Sequence, residues 1–243
     1  MHDRQGRERK AATMIAVLGD YFECSLSSLD LVDIGASTGI IDNYLSQYFR
    51  TVVGIDIDHA AIDKAGINFV KENLAFKVAD AMNTEFSDCS ADVVICSQVY
   101  EHVPDAKAMF HEIFRILKPG GVCYFAASNR LMLNEPHYDL PLLSIIPRFL
   151  AHRYVRWTGR GTHYHELHFS YWGLRKLVKK FRIIDYTGRI ISNPEEFHAE
   201  YMIPPRSRKS IMARKIQKFA YWLLPGYIWI LEKRRQDSDS TEV

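Results

Sequence analysis

The stretch Leu29-Asp30-Leu31-Val32-Asp33-Ile34-Gly35-Ala36-Ser37-Thr38-Gly39, continued by Ile40-Ile41-Asp42-Asn43-Tyr44-Leu45, narrows the folds open to this chain more than any other. A run of apolar and β-compatible residues, two spaced glycines and then a helix-periodic segment read as strand, tight turn and helix. Glycine at such a junction admits positive φ and lets a ligand approach the backbone, while the first helical N–H groups point into the space above the turn. That suits a nucleotide-like ligand. An ordinary βα loop with two glycines is the competing reading.

The same alternation runs on. Thr51-Val52-Val53-Gly54-Ile55-Asp56 reads as a second strand ending in a carboxylate, residues 57–72 as a helix, and Leu74 to Ala81 as a third strand that again ends acidic, at Asp80. Ala91-Asp92-Val93-Val94-Ile95-Cys96-Ser97 has the nearly unbroken apolar character of a strand buried on both faces of a parallel sheet. Pro104 suits the first turn of a helix whose buried face is Ala106, Met109, Phe110, Ile113, Phe114 and Leu117; Lys118-Pro119-Gly120-Gly121 ends it and Val122 to Ala127 forms a fifth strand. Helices over 9–23 and about 39–49 complete the pattern, the second with Ile41, Tyr44, Leu45 and Tyr48 on one side. Strands alternating with helices from 29 to 127 predict an α/β fold with a doubly wound parallel sheet. The C-terminal ends of its strands share one edge, so Asp56 is expected beside the glycine turn, accepting hydrogen bonds from both hydroxyls of a ribose. Asp80 at that edge would accept from an exocyclic adenine amine, with Ala81 offering a backbone N–H to the ring; a helix or turn cap is its alternative role.

Composition bounds the rest. With 243 residues, 47% hydrophobic and 25% charged, the chain is an ordinary globular sequence, one large α/β domain with insertions or two small ones. Cys24, Cys89, Cys96 and Cys123 form no CxxC pair, which fits reduced thiols in a cytosolic protein. No signal peptide is evident, and the apolar runs Leu140–Ala151 and Phe219–Leu231 fall short of the ~20 residues a spanning helix needs. A soluble, cytoplasmic chain is expected. Residues 1–129 carry a net charge of −7 and residues 130–243 one of +9, so the C-terminal half suits an anionic partner, with a solvated basic surface as the alternative.

Taken together, Leu31-Val32-Asp33-Ile34-Gly35-Ala36-Ser37-Thr38-Gly39, Val53-Gly54-Ile55-Asp56, Val78-Ala79-Asp80-Ala81, Gln98-Val99-Tyr100-Glu101-His102-Val103-Pro104-Asp105 and Leu117-Lys118-Pro119-Gly120-Gly121 resemble the successive motifs of class I S-adenosylmethionine-dependent methyltransferases. The nearest subgroup is methyltransferase type 11, which is similar to the ubiquinone and menaquinone biosynthesis enzymes. The resemblance implies a Rossmann-like, mostly parallel seven-stranded sheet and S-adenosyl-L-methionine as cofactor. It also implies that Asp33, Gly35, Ala36, Ser37, Gly39, Asp56, Ile57, Asp80, Ala81 and Gln98 hold that cofactor. Where the family usually has a middle glycine this chain has Ser37, so the backbone there must avoid positive φ or bear its strain.

On this reading residues 1–243 form a single methyltransferase domain: a cofactor-binding core over 10–128, an insertion over 129–169 that covers the substrate, the C-terminal part of the sheet over 170–233, and a disordered tail over 234–243. The insertion is too long for a simple loop, and its Leu, Ile, Phe, Tyr and Trp content suggests an apolar or aromatic, small-molecule or lipid-like acceptor. Ser170 caps a helix with Tyr171, Leu174, Leu177, Val178 and Phe181 on one stripe, and Arg182 to Ile191 reads as a strand. In a helix over 207–224, Ile211, Met212, Ile216, Phe219, Ala220 and Leu223 oppose Arg208, Lys209, Arg214, Lys215 and Lys218; core packing is the favoured reading and peripheral contact with an anionic membrane surface the other.

Transfer from a sulfonium needs a base only if the acceptor arrives protonated. His102, after strand four, is the first candidate, with a structural hydrogen bond as its alternative role; His137 and Tyr138 in the insertion come second. His163-x-His165-x-x-His168 lacks a carboxylate or cysteine partner in a recognised pattern, so no metal is expected. Dispersed basic residues and the absence of an Asn-Pro-Pro-Tyr motif argue against nucleic acid as partner. Two other functional classes stay in view. A nicotinamide-dependent oxidoreductase is disfavoured because the turn is G-x-x-x-G and position 42 is Asp, and a cofactor-binding or membrane-surface protein without turnover is separable only by assay.

Overall fold

The computed structural model describes residues 4–23 and 25–234; Cys24 and residues 235–243, most of the tail expected to be disordered, lie outside the described residues. In chain order the elements are α1 (Arg4–Phe22), β1 (Asp30–Ile34), α2 (Ile40–Leu45), β2 (Thr51–Asp56), α3 (His59–Asn68), β3 (Leu74–Val78), β4 (Ala91–Ser97), α4 (Ala106–Ile116) and β5 (Leu117–Ser128). A short hairpin of β6 (Asn134–Glu135) and β7 (Leu140–Pro141) follows, then α5 (Arg148–Trp157), α6 (Tyr171–Leu177), β8 (Arg182–Asp185), α7 (Thr187–Ser192), α8 (Arg208–Phe219) and β9 (Gly226–Glu232).

Seven strands form one sheet in the order β3-β2-β1-β4-β5-β9-β8. The first five are mutually parallel, and only β9 runs antiparallel to its neighbours β5 and β8. This is the mostly parallel, doubly wound sheet that the alternating pattern predicts. Each face carries helices. Met109, Phe110 and Ile113 of α4 and Leu174 of α6 pack over Val94, Phe125 and Trp229, while Met14, Val17 and Leu18 of α1 and Ile190 of α7 pack over Leu31, Val93 and Tyr124. Each such side chain contributes about 1.5–3 kcal/mol on burial. With both faces covered, β4 has almost no polar side, which explains its continuous apolar run. The hairpin and α5 form a separate cluster around Leu140, Leu143, Ala151, Val155 and Tyr164.

Several boundaries differ from the sequence expectation, each for a local reason. The helix expected over 57–72 spans only His59–Asn68 because Asp58 is its N-cap, its carboxylate accepting from Ala60 N and Ala61 N at 3.0 and 3.2 Å. Pro104 precedes α4 instead of opening it; Asp105 is the cap, accepting from Lys107 N and Ala108 N. α2 stops at Leu45, so Tyr48 lies at the surface, stacked on Tyr44. Strand three ends at Val78, and Asp80 begins a turn instead of ending a strand. The strand expected over 182–191 breaks at Asp185, whose carboxylate accepts the Thr187 N–H at 2.9 Å and turns the chain into α7. The helix expected over 207–224 ends at Phe219. Within it Ala213 and Ile216 pack on the core, but Ile211, Met212 and Phe219 are exposed, so core packing accounts for only part of its apolar stripe.

Candidate functional site

Strand register determines what meets at the open edge. Ile34 pairs with Ile55 and with Cys96, Asp56 with Val78, and Ser97 with Ala126, so β1 to β5 end side by side. The glycine turn leaves β1 there. Gly35 and Gly39 have φ of +87° and +73°, and a Cβ would lie 2.6 Å from Val99 Cγ2 at the first and 2.5 Å from Phe76 Cζ at the second, so no other residue fits either place. Ser37 between them has φ +51°. The serine substitution therefore keeps the left-handed turn and bears its strain, which costs about 1–2 kcal/mol. Part of that is offset by its N–H, which donates to Asp56 Oδ2 at 2.9 Å.

Asp56 thus closes the turn from the neighbouring strand. Its other oxygen, Oδ1, accepts from Asp58 N at 3.0 Å, so the half-buried carboxylate is fixed at both oxygens yet keeps free lone pairs. Gly35 beside it is exposed, and so is the side chain of Ile57, 70% accessible. Asp80 lies one strand further out, its Oδ1 accepting from Met82 N at 2.8 Å, with Ala81 half-buried next to it. Its predicted alternative as a turn cap is therefore also realised. Gln98 follows β4 with φ +58°, its side-chain oxygen accepting from Ser128 Oγ at 2.7 Å. Non-glycine residues in this conformation cluster at functional sites.

Asp33 and Ala36 sit lower, buried beneath the turn. The Asp33 carboxyl faces Asp42 of α2; burial, then the Asp42 charge, pushes Asp33 well above the carboxylate range, and burial raises Asp42 to about 7. Gly54 of β2 makes room for it, since a Cβ there would lie 2.5 Å from Asp42 Oδ1.

A second polar group gathers past the end of β4. The His102 and His137 rings meet edge to face, centroids 4.8 Å apart. His137 Nδ1 is 2.6 Å from Glu135 Oε1, and the other Glu135 oxygen accepts from Tyr138 N at 2.9 Å. His168 Nε2 lies 3.4 Å from the same Glu135 Oε1. The Leu167 N–H donates to the Glu101 carbonyl at 2.9 Å, which ties this end of the insertion to the core. Burial, then the neighbouring His137, lowers the His102 pKa; hydrogen bonding to Glu135 raises that of His137. Burial pushes Glu135 upward, but His137, His168 and the Tyr138 N–H outweigh it and hold the group at about 2. Glu101 is buried and shifted upward by desolvation.

The three catalytic candidates therefore separate. His102 and His137 are in contact, whereas the Tyr138 hydroxyl donates to the His163 carbonyl at 2.9 Å. The three spaced histidines also part company: His163 faces His152 and His165, while His168 turns inward to Glu135. Sequence reasoning passed over Glu101, Glu135 and His168 as site residues. Glu135 and His168 stand 33 positions apart in the numbering, with no local spacing to link them.

Comparison with known proteins bears on the family and the fold. Residues 32–125 match the family model described as a methyltransferase domain. Residues of this chain are 32% identical over 143 positions to a ubiquinone biosynthesis O-methyltransferase of Pseudomonas entomophila, the match covering 57% of each chain. The aligned region thus spans little more than half the length of the curated relatives. Among solved structures, an S-adenosylmethionine-dependent methyltransferase of Methanosarcina mazei superposes with a TM-score of 0.56 at 20% identity, covering 86% of this chain and 94% of that one. The [4+2]-cyclase SpnF superposes with a TM-score of 0.55 at 15% identity, covering 90% and 81%. These likenesses establish the fold; the cyclase illustrates that the fold alone does not name the reaction.

Proposed function

We propose that this protein moves a methyl group from S-adenosylmethionine to a small-molecule or lipid-like acceptor, a reading that the match of residues 32–125 to the methyltransferase domain model supports. The observation that carries the reading is Asp56, a carboxylate hydrogen-bonded to the glycine turn through Ser37 and still offering lone pairs at the exposed edge. Such an acceptor beside an exposed glycine backbone and an exposed Ile57 fits the ribose and base of the cofactor. In this assignment Asp56 accepts the ribose hydroxyls, Asp80 the adenine amine, Ala81 donates to the ring, Ile57 packs on its face, and Gly35, Ser37, Gly39 and Gln98 shape the backbone rim. Asp33 and Ala36 support the turn from below. When bound, the cofactor supplies an electrophilic methyl group that carries its own leaving group.

The chain's remaining task is to orient the acceptor and exclude water, which together supply about 7–11 kcal/mol of barrier reduction. The insertion over 129–169 is the element suited to it. For an acceptor that arrives as a hydroxyl, a ring nitrogen of His102 takes the proton. A lowered pKa leaves that imidazole neutral at pH 7, the state a base requires. His137, bonded to Glu135, has its pKa raised and so is the weaker base candidate. An O-methylation is favoured on this ground, and the curated relative at 32% identity is itself called an O-methyltransferase.

The lipid-like reading and a cytoplasmic, membrane-surface location draw support from α8 and the turn after it, where Ile211, Met212, Phe219, Trp222 and Leu223 are exposed beside Arg208, Lys209 and Lys215. None of the described helices is long and apolar enough to cross a membrane. Radiolabelled methyl transfer from S-adenosylmethionine to a panel of phenols, catechols and prenylated phenols tests the reaction. Binding of the cofactor with no transfer to any of them would favour the non-catalytic reading, and preferential binding of NAD the oxidoreductase. Sedimentation with anionic vesicles, compared between the native chain and Phe219→Glu, tests the surface contact.

A further inference from the structure

Glu135, His137 and His168 all lie beyond the residues matched by the methyltransferase family model, yet they converge. One carboxylate oxygen and one nitrogen from each imidazole lie within 4.8 Å of one another. We propose that Glu135, His137 and His168 form a binding site for one divalent transition-metal ion, held by the insertion itself.

The arrangement is hard to account for as packing alone. The Glu135 and His168 side chains are 0% and 1% exposed, and neither ring nitrogen of His168 has a hydrogen-bond partner. Buried imidazole nitrogens are normally matched, so Nε2, unmatched and 3.4 Å from Glu135 Oε1, points to a ligand held between the two side chains. The carboxylate is already oriented for the task. Its Oε2 is occupied by the Tyr138 N–H, leaving Oε1 as the atom between the two imidazoles, 2.6 Å from His137 Nδ1 and 3.4 Å from His168 Nε2. Donors bound at about 2.0–2.2 Å to one ion stand roughly a hydrogen bond apart, so small shifts suffice. Both segments are anchored by backbone pairing: Glu135 sits opposite Leu140 in the hairpin, and Leu167 bonds to the Glu101 carbonyl.

Donor chemistry selects the ion. Two imidazoles and one carboxylate suit zinc, cobalt, iron or manganese in the divalent state, whereas all-oxygen sets suit magnesium and calcium and thiolates suit copper(I). Three protein ligands leave coordination positions open. Glu101, whose buried oxygens also lack partners, and His102 lie next to His137 on that side. The site stands apart from methyl transfer: it can be present whether or not that reaction is the right one.

Titration of the purified full chain with Co2+, followed by its visible absorption and by displacement with Zn2+, reads the site directly. One equivalent should bind saturably, and Zn2+ should raise the melting temperature. His137→Gln, at a side chain 31% exposed, and Glu135→Gln should each weaken binding at least tenfold, about 1.4 kcal/mol, and abolish the thermal shift. His163→Gln, in the exposed group with His152 and His165, should change neither. Absence of saturable binding, binding that survives His137→Gln, or binding lost in His163→Gln would overturn the proposal.

Discussion

The glycine turn and the histidine cluster are both polar, both at the ends of strands, and built in opposite ways. At the turn the backbone and Asp56 are fixed inside the chain: a Cβ at Gly35 or Gly39 would clash, and Asp56 is anchored at both oxygens by Ser37 and Asp58, although Thr38 Oγ1 and both Asp42 oxygens below are buried without a hydrogen-bond partner. Past β4 the open groups are imidazoles and carboxylates brought together from different segments, with Glu101 and His168 buried without hydrogen-bond partners and Glu135 between two imidazoles. A backbone fixed in this way suits a ligand of constant shape. A cluster of metal-ligating and proton-carrying side chains is finished by whatever binds there, so cofactor affinity and turnover should respond to different residues.

The sharpest way to break this contrast is His102→Asn. Turnover with a hydroxyl acceptor should fall about 10²–10⁴-fold, the usual contribution of a general base, while calorimetric affinity for S-adenosylmethionine stays within about twofold. A parallel loss of affinity would merge the two regions. In the native chain the lowered His102 pKa places the acid limb of the turnover profile below the ordinary imidazole value of about 6.5, because protonation removes the base. Asp56→Ala is the counterpart on the other side, expected to weaken cofactor binding at least tenfold, about 1.4 kcal/mol. Unchanged affinity would remove the ribose assignment.

Stability probes sharpen the comparison further. Glu112 of α4 accepts from Thr84 N, Thr84 Oγ1 and Arg115, and the Arg115 contact foremost holds it at about 2 against an ordinary 4.5. Its ionised form therefore stabilises the fold at neutral pH, and this contribution is lost as pH falls from about 4.5 through 2. Glu112→Gln should cost about 1–3 kcal/mol in denaturant unfolding at pH 7 and flatten that acid dependence, without altering either site. The smallest effect is expected of Ser37→Gly. Relief of the left-handed backbone is partly offset by greater freedom in the unfolded chain, so stability should change by less than about 1 kcal/mol. A large change in cofactor affinity would mean that the Ser37 side chain itself takes part.

What could be read in advance follows the range of the forces involved. The period of apolar residues placed β1 to β5, the order of motifs carried the family resemblance, and parallel pairing put Asp56 beside the glycine turn, because strand ends in such a sheet share an edge whatever the details of packing. Local side-chain chemistry was harder to see: Asp58 and Asp105 as caps and Asp185 as a strand breaker each competed with a periodic pattern and prevailed through one or two hydrogen bonds.

Tertiary structure alone decided the rest. Nothing near Asp33 in the chain announces that it will be buried against Asp42 beneath the turn, or that Gly54 must be small to admit the Asp42 carboxyl. Nor does the spacing of His163, His165 and His168 disclose that only the last faces Glu135 and His137. Periodicity is a property of neighbours along the chain, so it reports elements and their shared edge. Convergence of the insertion on the end of β4 depends on how a separate small cluster packs and where the Leu167 to Glu101 bond holds it, and no repeat in the sequence encodes that.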